Sequence, residues 1–313
     1  MSGVVTISVV IPFYRNEHTL ARCLDSVAGQ TMRDFEVVMV DDGSPDGSPA
    51  IAQDYAGRYA MWRIVRQENK GLLRARMTGW QNAMGQYVVP LDADDTLPPN
   101  ALETLLRLIT DGDAQLAYGA YRRIDGVKNP MLRHRFTGTM SGEEFLRYNL
   151  ALNTHCGACY CIMRRDAVQA ADFDLDSRGL PAEDLLFNVR LSQRLQRVVI
   201  SNEHVYNYYV NPASLTAQAS YSTLDRLQRF FTLLSRELQR QGLTEQVSHL
   251  VDALEVDRLA FYVDDYDTAH PWYRHVMSLD CSRCTVKTRL LHTLLRAPRL
   301  WKALRTAYRR MKN

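Results

Sequence analysis

Five short apolar runs, rich in β-branched residues, alternate with stretches of helical spacing across the first 120 residues, and the runs end in polar loops. The runs are Thr6–Pro12, Phe35–Val40, Trp62–Arg66, Val88–Leu91 and Gln115–Ala120. Apolar runs this short, bounded by turn residues, fit strands better than helices. Between them Leu20, Leu24 and Val27 keep helical spacing, as do residues 50–59, 72–84 and 100–110. Such alternation predicts an α/β chain with a mostly parallel, Rossmann-like sheet and helices on both faces. The loops Tyr14–Glu17, Asp41–Asp46 and Asp92–Asp95 then share one sheet edge, where open α/β sheets place their ligands.

The most informative of these loops closes the run Val88-Val89-Pro90-Leu91-Asp92-Ala93-Asp94-Asp95. Three like charges this close raise one another's pKa, and a hard divalent cation such as Mg²⁺ or Mn²⁺ removes that cost. The competing reading is a helix N-cap with solvated acids ahead of Pro98. Asp41 and Asp42, after the second strand, suit a ribose or base edge. No G-x-G-x-x-G follows the first strand, so both the dehydrogenase fingerprint and the P-loop are absent.

Farther along, Ser141-x-x-Glu144 spells a capping box before a helix, and Ala158–Met163 reads as a strand. Leu180-Pro181-Ala182-Glu183-Asp184 opens a helix running to Leu195, and simple capping by the dipole accounts for its two acids. Residues 198–201 and 204–210 are strand-like, and Leu224–Arg240 is a helix with Leu227, Phe230, Phe231, Leu234 and Leu238 on one face. Cys156-x-x-Cys159 and Cys281-x-x-Cys284 together spell a four-cysteine zinc set. On a strand, however, Cys156 and Cys159 would face opposite ways, so reduced structural cysteines fit better.

The 313 residues, 46% hydrophobic and 23% charged, suffice for a large core. No apolar run approaches a membrane span and no secretory signal opens the chain, so a cytoplasmic protein is expected. The net charge of +3 hides an asymmetry: Cys281–Asn313 holds ten Lys or Arg and no acid, leaving 28 basic and 35 acidic residues elsewhere. In this tail Leu290, Leu294, Trp301, Leu304, Tyr308 and Met311 recur at helical spacing. Arg296, Arg299, Lys302, Arg309 and Arg310 lie mainly opposite, and Pro298 kinks or divides the helix. Two readings fit residues 285–313: an interfacial helix on the anionic inner face of the cell membrane, or a helix packed on the rest of the protein.

Taken in order, Val9-Val-Ile-Pro-Phe-Tyr-Arg-Asn16, Val40-Asp-Asp-Gly-Ser44, Glu68-Asn-Lys-Gly71, Leu91-Asp-Ala-Asp-Asp95 and Glu183-Asp184 resemble the inverting, GT-A fold glycosyltransferases of family 2, over roughly residues 5–216. The resemblance implies transfer of a sugar from a nucleotide-diphosphate donor, UDP-linked, to a hydroxyl of a glycan or lipid-linked acceptor in cell-surface polysaccharide synthesis. It implies a hexosyl- or N-acetylhexosaminyltransferase that uses Mn²⁺ or Mg²⁺. It places Pro12, Tyr14 and Glu17 around the nucleoside and a carboxylate of Asp41-Asp42 on the base or ribose. Lys70, Gly71 and Arg74 would approach the uracil and diphosphate. Asp92 and Asp94 match the D-x-D pair, with Asp94 and Asp95 as metal ligands, and Asp184, with Glu183, matches the catalytic base.

The chain also departs from its relatives. Many carry Tyr-Arg before a downstream Ser, whereas here Tyr209 is followed by Val210 and then Asn211-Pro-Ala-Ser214. The resemblance therefore does not place a diphosphate-contacting arginine in this chain. His204 lies a few residues early for a further metal ligand and reads as an ordinary strand histidine. The Gln-x-x-Arg-Trp motif of processive synthases is missing, so single-residue transfer is expected, with no nucleic-acid partner. The expected organisation is a catalytic domain over residues 1–218, with a donor half to about 120 and an acceptor half beyond, then a helical region over 219–313. A non-catalytic nucleotide-sugar-binding protein of the same fold is the alternative, and a nucleotidyltransferase the weaker third.

Overall fold

The computed structural model describes residues 5–151, 156–175, 179–211, 223–263 and 266–312, with the side chains of 308–312 outside the described set. Contacts divide the chain into two compact units. The first takes in residues 1–146, 155–178 and 187–210. It begins with β1 (Ile7–Phe13), α1 (Leu20–Ala28), β2 (Phe35–Asp41), α2 (Ser48–Arg58), β3 (Trp62–Arg66), α3 (Leu72–Asn82), β4 (Tyr87–Pro90), α4 (Ala101–Asp111) and β5 (Leu116–Ile124). It continues through β6 (Met131–Leu132), β7 (Gly138–Met140), α5 (Gly142–Leu150), β8 (Cys161–Arg164), α6 (Glu183–Ser192) and β9 (Val198–Tyr209), with the ends of α5 and α6 crossing to the second unit.

The sheet order is β3-β2-β1-β4-β8-β5-β9-β7, with β6 paired to β5. The first four strands are parallel, and β1, β2 and β4 are buried along their whole length. Burial on both faces is what a run such as Val9-Val10-Ile11 requires. β8 runs antiparallel between β4 and β5, and β9 is one continuous parallel neighbour of β5, with the pairing irregular between Tyr118 and Tyr121. The two strand-like stretches read from the sequence are thus one strand. The capping box forms as spelled: Ser141 N–H donates to the Glu144 carboxylate at 2.7 Å and Glu144 N–H to Ser141 Oγ at 3.2 Å.

Away from the loop edge, Glu36 is fully buried in β2. It accepts from Ser8 Oγ at 2.5 Å and Met84 N–H at 2.6 Å, and pairs with Arg63. Ser8 Oγ in turn accepts from Gly85 N–H at 2.8 Å. A Cβ on Gly85 would lie 2.6 Å from Ser8 N, so this approach needs glycine. Burial opposes the charge on Glu36, but Arg63, Ser8 and the Met84 amide outweigh it and hold its carboxyl below 4.5.

The second unit gathers residues 147–154, 179–186 and 211–313; the boundary expected at 218 lies outside the described residues. Its helices are α7 (Leu224–Arg240), α8 (Thr244–Tyr262), α9 (Pro271–Ser278), α10 (Val286–Leu295) and α11 (Pro298–Lys312). Leu227, Phe230, Phe231, Leu234 and Leu238 are buried as spaced, and Phe231 stacks on Trp272 at 5.5 Å. Pro298 divides the tail by opening α11, where its missing N–H costs nothing.

The buried face of that tail differs from the stripe in the sequence. Leu291, Leu295, Trp301 and Arg305 are buried, while Leu290 and Leu304 are exposed with Val286 and Leu300. Trp301 Nε1 donates to the Ala260 carbonyl at 2.9 Å, and Arg305 Nη1 donates to the carbonyls of Ala260 and Val263 at 3.0 and 2.9 Å. These carbonyls end α8, where a cation meets the negative end of the helix dipole, so the arginine is drawn inward and the face turns with it. Cys281 and Cys284 are buried and form no disulfide, and the same holds for Cys156 and Cys159, which precede β8 and do not lie on it. Among the described residues no three His, Cys, Asp or Glu side chains are grouped to hold a metal.

Candidate functional site

Strand register assembles one loop edge. Phe13 lies beside Asp41, Asp41 beside Arg66, and Val10 beside Pro90. The chain leaving β1, β2, β3 and β4 therefore emerges at the carboxyl edge of four parallel strands, with loops 14–19, 42–47, 67–71 and 91–95 together.

At β4 the buried Leu91 carries the chain into a tight turn, closed by Asp95 N–H donating to the Asp92 carbonyl at 3.0 Å. Asp95 is turned inward and is 1% exposed. Its Oδ1 accepts from Tyr209 N–H and its Oδ2 from the Tyr206 hydroxyl, both at 2.7 Å. Burial, then the charges of Asp92 and Asp94, push its carboxyl up to about 8. Asp95, a metal ligand in the sequence reading, is thus a joint between this turn and β9. Asp92 and Asp94 remain part-exposed. Asp92 pairs with the buried Arg76 of α3 at 2.7 Å. Burial and then Asp92 push Asp94 up to about 6.

The β2 loop is held from within. Asp41 accepts from Ser44 N–H at 2.8 Å and pairs with Arg66 at 3.1 Å. Asp42 accepts from Gln67 Nε2 at 2.7 Å and from the Lys70 and Gly71 amides, each at 2.9 Å. Gly71 sits at φ +88, in the region open to glycine. Asp42 therefore fixes the loop that carries Lys70, whose side chain is exposed. Arg74 pairs with Asp174. Pro12 is buried in β1, Tyr14 is 40% exposed, and Glu17 accepts from Gly47 N–H at 2.9 Å.

Glu183 and Asp184 are the first two residues of α6, part-exposed, in the segment that groups with the second unit. Ala182 before them sits at φ 57 and Arg15 in the β1 loop at φ 58, a backbone region that costs a non-glycine residue about 1–3 kcal/mol and concentrates at functional sites. His204 Nε2 bonds within its own strand, to Tyr206 O at 3.1 Å and Asn207 Oδ1 at 2.9 Å.

The sequence reading assigned no role to Arg76, Arg22 or Tyr206, and named Tyr209 only as the tyrosine that lacks a following arginine. Arg76 could have been found, because it falls on the helical stripe of Leu73 and Trp80, where an arginine needs a carboxylate partner.

Residues 8–171, just over half of the chain, match the family described as Glycosyl transferase family 2. An uncharacterized glycosyltransferase of Bacillus subtilis (strain 168), EpsJ, is 31% identical over 67% of this chain and 62% of its own length. YibD of Escherichia coli (strain K12), also an uncharacterized glycosyltransferase, is 28% identical over 69% and 64%. The match thus spans under two thirds of these relatives. Among solved structures, S. aureus TarS 1-349 in complex with UDP-GlcNAc superposes with a TM-score of 0.62 at 17% identity, over 97% of this chain and 92% of that one. The mannosyltransferase PcManGT from Pyrobaculum calidifontis, in complex with GDP-Man and Mn²⁺, gives 0.59 at 17% identity over 96% and 82%. These likenesses show the fold, the mixed α/β GT-A architecture followed by helices. With motifs, fold and family match in agreement, the chain belongs to glycosyltransferase family 2.

Proposed function

We propose that the protein transfers a single sugar, hexose or N-acetylhexosamine, from a UDP-linked donor to a hydroxyl of a glycan or lipid-linked acceptor, with inversion. The observation that carries this reading is the pair Asp92 and Asp94, the carboxylates left open to solvent at the carboxyl edge of the parallel strands. Their donor set fits a hard cation: Asp94 resists ionising because of burial first and the charge of Asp92 second, and a divalent ion offsets both. Mn²⁺ or Mg²⁺ held there would stabilise charge on the departing diphosphate as a Lewis acid. The chain supplies the rest. Pro12, Tyr14 and the loop fixed by Asp42 receive the nucleoside, and Lys70 faces the diphosphate. Asp184 takes the proton of the acceptor hydroxyl as its oxygen bonds to the anomeric carbon, and the bond to the diphosphate breaks on the opposite side.

Asp94→Ala deletes one charged ligand of that pair. Titration of UDP-GlcNAc and GDP-mannose into the variant should show the Mn²⁺-dependent part of binding gone. Unchanged dependence on Mn²⁺ would exclude Asp94 as a ligand.

A lipid-linked acceptor also suits contact with the inner face of the membrane. No helix among the described residues is long and apolar enough to cross a bilayer. The tail, however, exposes Val286, Leu290, Leu300 and Leu304 beside Lys287, Arg289, Arg296, Arg299 and Lys302. Each basic residue near an anionic surface contributes about 1 kcal/mol, screened by salt. The full chain should pellet with anionic vesicles at low salt and be released at high salt; protein that stays in the supernatant at low salt ends this reading.

A further inference from the structure

A nucleotide-diphosphate leaving group needs cationic donors, and the chain from Val205 to Asp225 contains neither Lys nor Arg. Among the cations around the acidic turn, Arg76 is paired with Asp92, Arg74 with Asp174 and Arg66 with Asp41. Arg22, on the first turn of α1, is placed differently. Its guanidinium carbon lies 3.7 Å from the centre of the Tyr209 ring, and its Nη2 donates to the Asp94 carbonyl at 2.6 Å. Among the described residues it forms no ion pair. The side chain is exposed, yet its guanidinium is held on one face and at one N–H edge.

We propose that Arg22 binds the diphosphate of the nucleotide donor, standing in from α1 for an arginine that residues 205–225 do not supply. The inference rests on the nucleotide-sugar reading above and adds a residue to it. Stacking on Tyr209 fixes the plane of the guanidinium and so lowers the entropy lost on binding, and the remaining N–H groups present the fork that matches phosphate oxygens. Its contact with the Asp94 carbonyl also puts its positive charge at the acidic turn. Tyr209 is itself fixed, since its N–H donates to Asp95. One joint between β4 and β9 thereby sets the acidic turn and the ring under the arginine.

The test compares a nucleoside with its diphosphate. Uridine, UDP, guanosine and GDP are titrated with Mn²⁺ into the full chain and into Arg22→Ala, Arg22→Lys and Tyr209→Leu, each first shown by its melting curve to be folded. Charge-assisted hydrogen bonds of this kind correspond to about a ten- to a hundredfold change in affinity. Arg22→Ala should lose that factor for the diphosphate and leave the nucleoside unchanged. Arg22→Lys should recover part of it, and Tyr209→Leu should lose part. An unchanged ratio of diphosphate to nucleoside affinity in Arg22→Ala overturns the proposal while the parent chain still binds nucleotide. A parent chain that binds no nucleoside diphosphate overturns the functional reading instead, and this one with it.

Discussion

Asp184→Asn is expected to lower turnover by about a hundredfold or more and to leave donor affinity near that of the parent chain. The amide matches the carboxylate in size and keeps an oxygen acceptor, so the first turn of α6 retains its shape. It cannot take a proton. General base catalysis typically contributes about 10²–10⁴-fold, and a loss confined to turnover marks an interaction made in the transition state. The measurement is initial rate against donor concentration, with donor affinity titrated separately. Glu183→Gln is the control, one residue earlier on the same turn. Turnover within a few-fold of the parent in Asp184→Asn removes that residue from the role of base.

The second large effect concerns stability. Glu36→Ala leaves the Ser8 hydroxyl, the Met84 amide and the Arg63 guanidinium without their common acceptor at the sheet interior. Arg63 is a third exposed and can turn to solvent, so the cost falls on the orphaned Ser8 and Met84 donors, about 1–3 kcal/mol each. At about 2–4 °C per kcal/mol, that is a fall in Tm of roughly 4–20 °C. The pH dependence has a fixed sign. Because the folded protein holds this carboxyl below 4.5, its contribution is complete above that value and is lost as pH falls through the folded pKa. Parent and variant melts should therefore differ widely at pH 7.5 and converge in acid. A variant melting within about 2 °C of the parent at pH 7.5 shows that the network contributes little.

What could be read from the sequence was local. Val9–Ile11, Val37–Val40 and Val88–Val89 announce strands because burial on both faces excludes polar residues from them. Ser141 and Glu144 announce a helix start three residues apart, and residues 224–240 display their buried face directly. What could not be read depends on partners far along the chain. Asp95 looks like Asp94 until Tyr206 and Tyr209 arrive from 111 and 114 residues away. Asp42 looks like a ligand for ribose, whereas three donors of the 67–71 loop occupy it. The antiparallel entry of β8 between β4 and β5 has no local spelling either. In the tail, Leu290 and Leu304 suggested the buried face, but the open carbonyls at the end of α8 selected Arg305.

The inward turn of Asp95 bears on when the acidic turn takes its shape during synthesis. The residues Asp92–Asp95 leave the ribosome long before Tyr206, and at about 5–20 residues per second the wait is roughly 5–20 s. Through that interval Asp95 has no hydroxyl or amide from β9, so burying its carboxyl would be costly and the turn stays open. A nascent chain ended at Arg197 carries every residue of the turn yet should not protect Asp95 amide hydrogen from exchange; protection equal to that of the full chain would show that β9 is not what closes it. A fragment cut at residue 120 should inherit the same open turn, so β9 is a folding template for the turn after β4 as well as a strand of the same sheet.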